Sequence, residues 1–137
     1  AELNLNSQVR FLEELPRDSL LWEMGKSDVF LFPSLRDGGG TVVVEAMAMG
    51  KPIVCLDAGG PAMHVTPECG MKVETRSPAE SVNDMAEALE QLHNDETLRF
   101  ELGKGARKRA EDNYHWDRLG ERLREIYEPL LLENPDD

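Results

Sequence analysis

Apolar and polar positions follow two regimes along the chain. Before about residue 76 the apolar residues gather into short runs: Val9–Leu12 (VRFL), Asp28–Phe32 (DVFLF), Ile53–Leu56 (IVCL) and Met71–Glu74 (MKVE). Runs of this length predict strands, and the near-continuous apolar character of the second suits a strand buried on both faces. Helices are expected between them. One starts at Pro16, where a missing N–H costs nothing. Its inner face would be Leu20, Leu21 and Met24, and Gly25 or Lys26 would close it. Another spans Thr41–Met49, with Gly50 at its C′ position and Pro52 just beyond. Ser34–Gly40 and Asp57–Pro61 read as glycine-rich turns. From Pro78 the period changes to 3.6. Val82, Met85, Ala86, Leu89 and Leu92 mark one helix face. Asp95 is placed to cap a second helix, with Leu98, Leu102, Ala106 and Ala110 inside. Trp116, Leu119, Leu123, Ile126, Tyr127 and Leu130 mark a third.

Alternation of strand and helix predicts an α/β fold. We expect a Rossmann-like parallel sheet of about four strands, helices on both faces and a helical C-terminal part. Residues 1–132 read as a single domain, and 133–137 as a polar tail. Ligands of such sheets bind at the carboxyl ends of the strands. That directs attention to Glu13–Pro16, Pro33–Gly40 and Asp57–Pro61.

Composition removes several classes of function. The 137 residues hold 15 Lys and Arg against 27 Asp and Glu, a formal net charge of −12. Residues 1–76 carry 7 basic and 11 acidic side chains, and 77–137 carry 8 and 16. Phosphate recognition by nucleic-acid binders rests on clustered Lys and Arg, so no nucleic-acid partner is expected. No apolar run approaches the roughly 20 residues of a membrane-spanning helix, and nothing resembles a signal peptide. Cys55 and Cys69 cannot make a disulfide framework or a zinc site with CxxC spacing. Cys55 reads as a small buried residue. A reducing cytoplasm is the expected compartment.

Candidate chemistry concentrates between Pro33 and Pro61. Gly38, Gly39 and Gly40 let backbone approach a ligand closely. The helix starting near Thr41 aims free N–H groups and a positive dipole end at that loop. A phosphate or a sugar hydroxyl could sit there without a lysine. Glu45 lies one turn into the helix, an acid among Val42, Val43, Val44 and Ala46. Asp37 stands eight positions earlier, at the loop's entrance. Two carboxylates therefore bracket one anion-binding helix terminus, which suits a ligand with a phosphate in the middle and hydroxyl-rich sugars at its ends. Plainer readings exist: a tight strand-to-helix turn for the loop, a turn residue for Asp37, a solvated helix acid for Glu45. His64 reads as structural or solvated before sugar-binding, and Tyr114, His115 and Trp116 as packing. Lys104, Arg107, Lys108 and Arg109 read as a solvated face making helix ion pairs. Arg36, beside Asp37, is a basic group near the loop.

The segment R-D-G-G-G-T-V-V-V-E-A-M-A-M-G-K-P-I-V resembles the Glu-x7-Glu region of retaining, family-4-type (group 1) glycosyltransferases. F-L-E-E-L-P-R, S-D-V-F-L-F-P-S, A-G-G-P and L-G-K-G-A-R-K-R-A-E-D-N-Y-H-W-D are similar to its flanking pieces. The resemblance covers nearly the whole chain and is most specific over Asp37–Val54. It implies part of the C-terminal, donor-binding domain of a GT-B fold. Glu45 would then hydrogen-bond the ribose hydroxyls of a nucleoside diphosphate sugar. Asp37, standing where the family usually has Glu, would contact the donor sugar. The backbone N–H groups of Gly39, Gly40, Thr41 and Val42 would face sugar and phosphate, with Gly38 lining the loop, and the turn near Leu15 would meet the base. The nucleotide sugar would be a donor substrate, with no cofactor and no bound metal. Transfer would retain anomeric configuration.

The same resemblance implies two further strands before this chain's start. They would bring an Arg and a Lys for the diphosphate, and an N-terminal acceptor domain would precede them. A missing domain or a second chain is therefore an expected partner, and membrane contact could come only through the acceptor. Taken alone, the chain is expected not to turn over. Val9–Leu12 is expected to pair directly with Asp28–Phe32 or to be loosely held. Two other readings remain: a non-catalytic nucleotide-sugar-binding or split-enzyme subunit, and a small α/β protein that binds a phosphorylated metabolite. Asp37 and Glu45 favour a sugar nucleotide, because a bare phosphate site needs neither.

Overall fold

The computed structural model describes Leu5 and residues 7–132; the tail at 133–137 lies outside the described residues. Its elements run α1 (Arg17–Lys26), β1 (Phe30–Phe32), α2 (Thr41–Ala48), β2 (Ile53–Leu56), α3 (Gly59–His64), β3 (Gly70–Val73), α4 (Pro78–Asn94), α5 (Glu96–Tyr114) and α6 (Trp116–Leu132). Among the described residues the sheet has three parallel strands in the order β1-β2-β3. Phe30 pairs with Ile53, and Ile53 with Gly70.

The central strand explains the layers. Every residue of β2 is buried, and successive side chains point to opposite faces. Ile53 and Cys55 join Met24, Val43, Met47, Val65 and Ala106 on one side. Val54 and Leu56 join Val73, Met85, Leu92 and Leu102 on the other. Helices thus cover both faces of β2; β1, expected from its near-continuous apolar run to be buried on both faces, is instead an edge strand with Phe30 and Phe32 half-buried and Leu31 exposed. Burial pushes the Cys55 thiol up to about 11, against the opposing pull of Lys72, so this cysteine is a packing residue.

Local signals explain the boundaries. Asp95 caps α5 by accepting from the Leu98 N–H at 2.8 Å. Gly50 takes φ +69° after α2 and closes it. Three of the four basic residues of the α5 cluster pair along its own helix, Lys104 with Glu101 at 3.6 Å, Arg107 with Glu111 at 2.6 Å and Lys108 with Asp112 at 2.5 Å; Arg109, read with them as solvated, is half-buried and makes none of these pairs.

Further expectations change. Val9–Leu12 is not a strand: it stays outside the sheet with Phe11 92% exposed. So short a run buries little unless a neighbour completes its ladder, and the segment is instead tied to α1 through Arg10 and Glu23 at 2.8 Å. On α1 only Met24 is buried, while Leu20 is exposed and Leu21 half-buried. The apolar stripe of α6 faces outward, with Trp116 84% exposed and Leu123, Ile126, Tyr127 and Leu130 also exposed. A periodic stripe shows which face can be buried, not that a partner is present. Finally, the Asp57–Pro61 turn continues into a helical turn, α3, in whose first turn Pro61 is tolerated.

Glycines set how closely α5 approaches. A side chain on Gly103 would run into the carbonyl of Gly50, and one on Gly105 into the carbonyl of Glu68. Gly120, on α6, has open space around it. Gly105→Ala should therefore destabilise the chain by about 2 kcal/mol or more. Gly120→Ala should stabilise it by up to about 1 kcal/mol through helix propensity alone. Denaturant unfolding of the two variants checks the contrast; equal effects would contradict this packing.

Candidate functional site

The site grows from the end of β1. After Phe32 the chain leaves the sheet at Pro33, runs through the glycine loop and enters α2 at Thr41. Asp37 shapes the loop. Its Oδ1 accepts from the N–H of Gly39 at 2.9 Å and of Gly40 at 2.6 Å. A short acid bonding backbone a few residues on is a common way to build such a turn. The bonds occupy one carboxylate oxygen and leave Oδ2 for other partners. Gly40 then takes φ +59°, a left-handed conformation that glycine adopts without strain. No side chain caps α2, so the first N–H groups of the helix, those of Thr41 and Val42, point along its axis toward the loop mouth. Thr41, Gly38 and Gly39 are exposed, Val42 is half-buried and Gly40 is buried.

A second turn holds the first. The Gly60 N–H donates to the carbonyl of Asp37 at 2.8 Å. Side chains on Gly59 or Gly60 would meet the carbonyl oxygens of Asp37 or Gly38 at 2.7 and 2.8 Å. The two glycine segments therefore pack backbone against backbone at the carboxyl ends of β1 and β2. His64, at the end of α3, fastens them. Its Nε2 lies 2.7 Å from the Gly39 carbonyl oxygen and its Nδ1 2.8 Å from the Tyr114 hydroxyl. A carbonyl only accepts, so Nε2 donates, and in the neutral ring Nδ1 accepts from Tyr114. Tyr114 packs edge-on against the imidazole, and Arg109 Nε donates to the His64 carbonyl at 2.6 Å. Tyr114 thus packs as read from the sequence, whereas His115 and Trp116, read in the same way, are exposed; His64 takes the structural role.

Glu45 lies one turn into α2. Its side chain is 23% exposed, and its Oε1 receives a hydrogen bond from Arg17 Nη2 at 2.6 Å. Arg17 follows Pro16 at the start of α1 and is 70% exposed. Leu15 lies two positions before Arg17, whose long side chain makes this link. The structure thus gathers Asp37, Gly38, Gly39, Gly40, Thr41, Val42 and Glu45 on one loop and helix start; Leu15 itself lines the surface beside Asp18 and Trp22. Arg36 is exposed and joins none of the ion pairs among the described residues. Arg17 is the site residue that the sequence reading missed. Its only signal there was a basic side chain two positions after Leu15.

The chain matches the family described as glycosyl transferases group 1 over residues 1–109. It belongs to that family. The chain is 30% identical over 130 residues to a GDP-mannose-dependent monoacylated alpha-(1-6)-phosphatidylinositol monomannoside mannosyltransferase of Corynebacterium glutamicum, covering 90% of this chain and 33% of that protein. It is 34% identical over 126 residues to a D-inositol 3-phosphate glycosyltransferase of Corynebacterium diphtheriae, covering 91% and 28%. Sucrose-phosphate synthase from Thermosynechococcus elongatus superposes with a TM-score of 0.80 at 26% identity, over 96% of this chain and 32% of that one. The fold resembles the C-terminal domain of GT-B enzymes. The chain spans about a third of the relatives it matches. Among the described residues no helix is long and apolar enough to cross a membrane.

Tyr114→Phe should cost about 1 kcal/mol by leaving Nδ1 unpaired. His64→Ala, which also frees the Gly39 carbonyl and a ring contact, should cost about 2 kcal/mol or more. Chemical denaturation measures both; a His64→Ala chain as stable as its parent would remove the imidazole from its place as the loop's fastener.

Proposed function

We propose that this chain is the donor-binding part of a retaining glycosyltransferase and holds a nucleoside diphosphate sugar at the start of α2. The observation that carries the reading is Asp37 bridging the N–H groups of Gly39 and Gly40 in front of an uncapped helix, with Glu45 one turn inside. Glu45 accepts from the ribose hydroxyls. Asp37 offers its remaining oxygen to the donor sugar. It is one methylene shorter than the family's usual Glu, so that sugar must come close to the loop. The N–H groups of Thr41 and Val42 meet sugar and phosphate oxygens, where the helix dipole favours negative charge; those of Gly39 and Gly40, expected to do the same, are taken by Asp37. The turn at Leu15 meets the base.

Departure of a nucleoside diphosphate needs positive charge aimed at it, which is usually the largest catalytic contribution. Near this loop Arg36 is exposed and Arg17 is engaged with Glu45. One exposed arginine falls short of the Arg and Lys pair that the resemblance calls for, so the chain by itself is expected to bind donor without ordinary rates of transfer, with further counter-charge and the acceptor coming from outside it. GDP-mannose, the donor in one relative's name, is the first probe, with UDP-glucose second.

Titrating either donor into labelled chain should shift the amides of Gly38–Glu45 in NMR spectra at millimolar concentration or below. Glu45→Ala should weaken binding about tenfold or more by removing charge-assisted hydrogen bonds. No shift with either donor would contradict the reading.

A further inference from the structure

The contact between Arg17 and Glu45 joins two elements that share little else. α1 buries only Met24. Its far end is held by Lys51, whose Nζ donates to the Gly25 carbonyl at 2.6 Å, and its near end by Arg17 reaching Glu45. An ion pair with one partner 70% exposed contributes little to fold stability. Its geometry, however, suits recognition. One guanidinium nitrogen meets one carboxylate oxygen, so Oε2 of Glu45 and the other N–H groups of Arg17 stay available.

We propose that Arg17 and Glu45 act as one unit that reads the vicinal diol of the nucleotide's ribose. This rests on the proposed nucleotide-sugar site. Each hydroxyl of a diol is both donor and acceptor. Glu45 supplies the acceptor, and Arg17 supplies N–H groups beside it. Arg17 also fixes the carboxylate's rotamer before the ligand arrives, which lowers the ordering cost of binding. The planar guanidinium can do both at once, whereas a lysine ammonium is a single compact charge. Arg17 is thus a binding and positioning residue outside the glycine loop, on the turn that would meet the base.

A chemical double-mutant cycle tests this. Binding of GDP and UDP, and of their 2′,3′-dideoxy counterparts, is measured by calorimetry for the parent chain, Arg17→Met and Arg17→Lys. Circular dichroism confirms that each variant is folded. Arg17→Met should weaken the ribonucleotide that binds by about three- to tenfold. It should leave the dideoxy nucleotide unchanged, and Arg17→Lys should recover only part of the loss. Equal weakening of both nucleotides would overturn the proposal, because Arg17 would then read phosphate, base or fold. Tighter binding by Arg17→Met would also overturn it, making the ion pair a block. If the parent chain binds neither GDP nor UDP, the proposed function fails and this inference with it; binding by the parent with no effect of Arg17 defeats the inference alone.

Discussion

Two stretches of backbone touch here with no side chain between them. The carbonyl oxygens of Asp37 and Gly38 occupy the space that side chains on Gly59 and Gly60 would need, and the Gly60 N–H bonds one of them. This contact brings the loop after β1 against the turn after β2. Much of the site follows from it. Two separate constraints call for glycine at position 40: its backbone takes φ +59°, and a Cβ there would meet the His64 ring at 2.9 Å and the Pro61 nitrogen at 3.1 Å. Asp37 then bonds the loop's own N–H groups, and α2 begins where those bonds end.

The surrounding packing supports that arrangement without taking part in it. β2 is buried on both faces and fixes where Asp57 and Gly59 leave the sheet. The long helix α5 lies against the backbone of Gly50 through Gly103. From its C-terminal end Arg109 and Tyr114 reach His64, which carries the restraint to the Gly39 carbonyl. A ligand that meets these groups finds them already ordered, and preorganisation of this kind reduces the entropy lost on binding.

How much could be read from the sequence depended on whether a signal was local. The β2 run, the Asp95 cap and Gly50 after α2 each act over a few residues, and each stands where the sequence placed it. The Asp37–Glu45 segment was visible because its glycines and acids lie together on one loop and one helix turn. Long-range contacts left no such trace. Nothing near Arg17 marks a partner 28 positions away. The apolar residues of Val9–Leu12 and α6 showed which faces can be buried but not whether anything covers them. His64 was legible only as a structural residue near the loop; its bond to Tyr114 spans 50 positions.

Amide hydrogen exchange on the ligand-free chain tests most directly whether the two glycine segments are locked together before any ligand binds. The N–H groups of Gly40 and Gly60, bonded to the Asp37 side chain and carbonyl, should be protected alongside neighbouring bonded amides, while Gly38 exchanges freely. Exchange of Gly40 and Gly60 as fast as that of Gly38 would show that the loop is not preformed, and would contradict the account at its base.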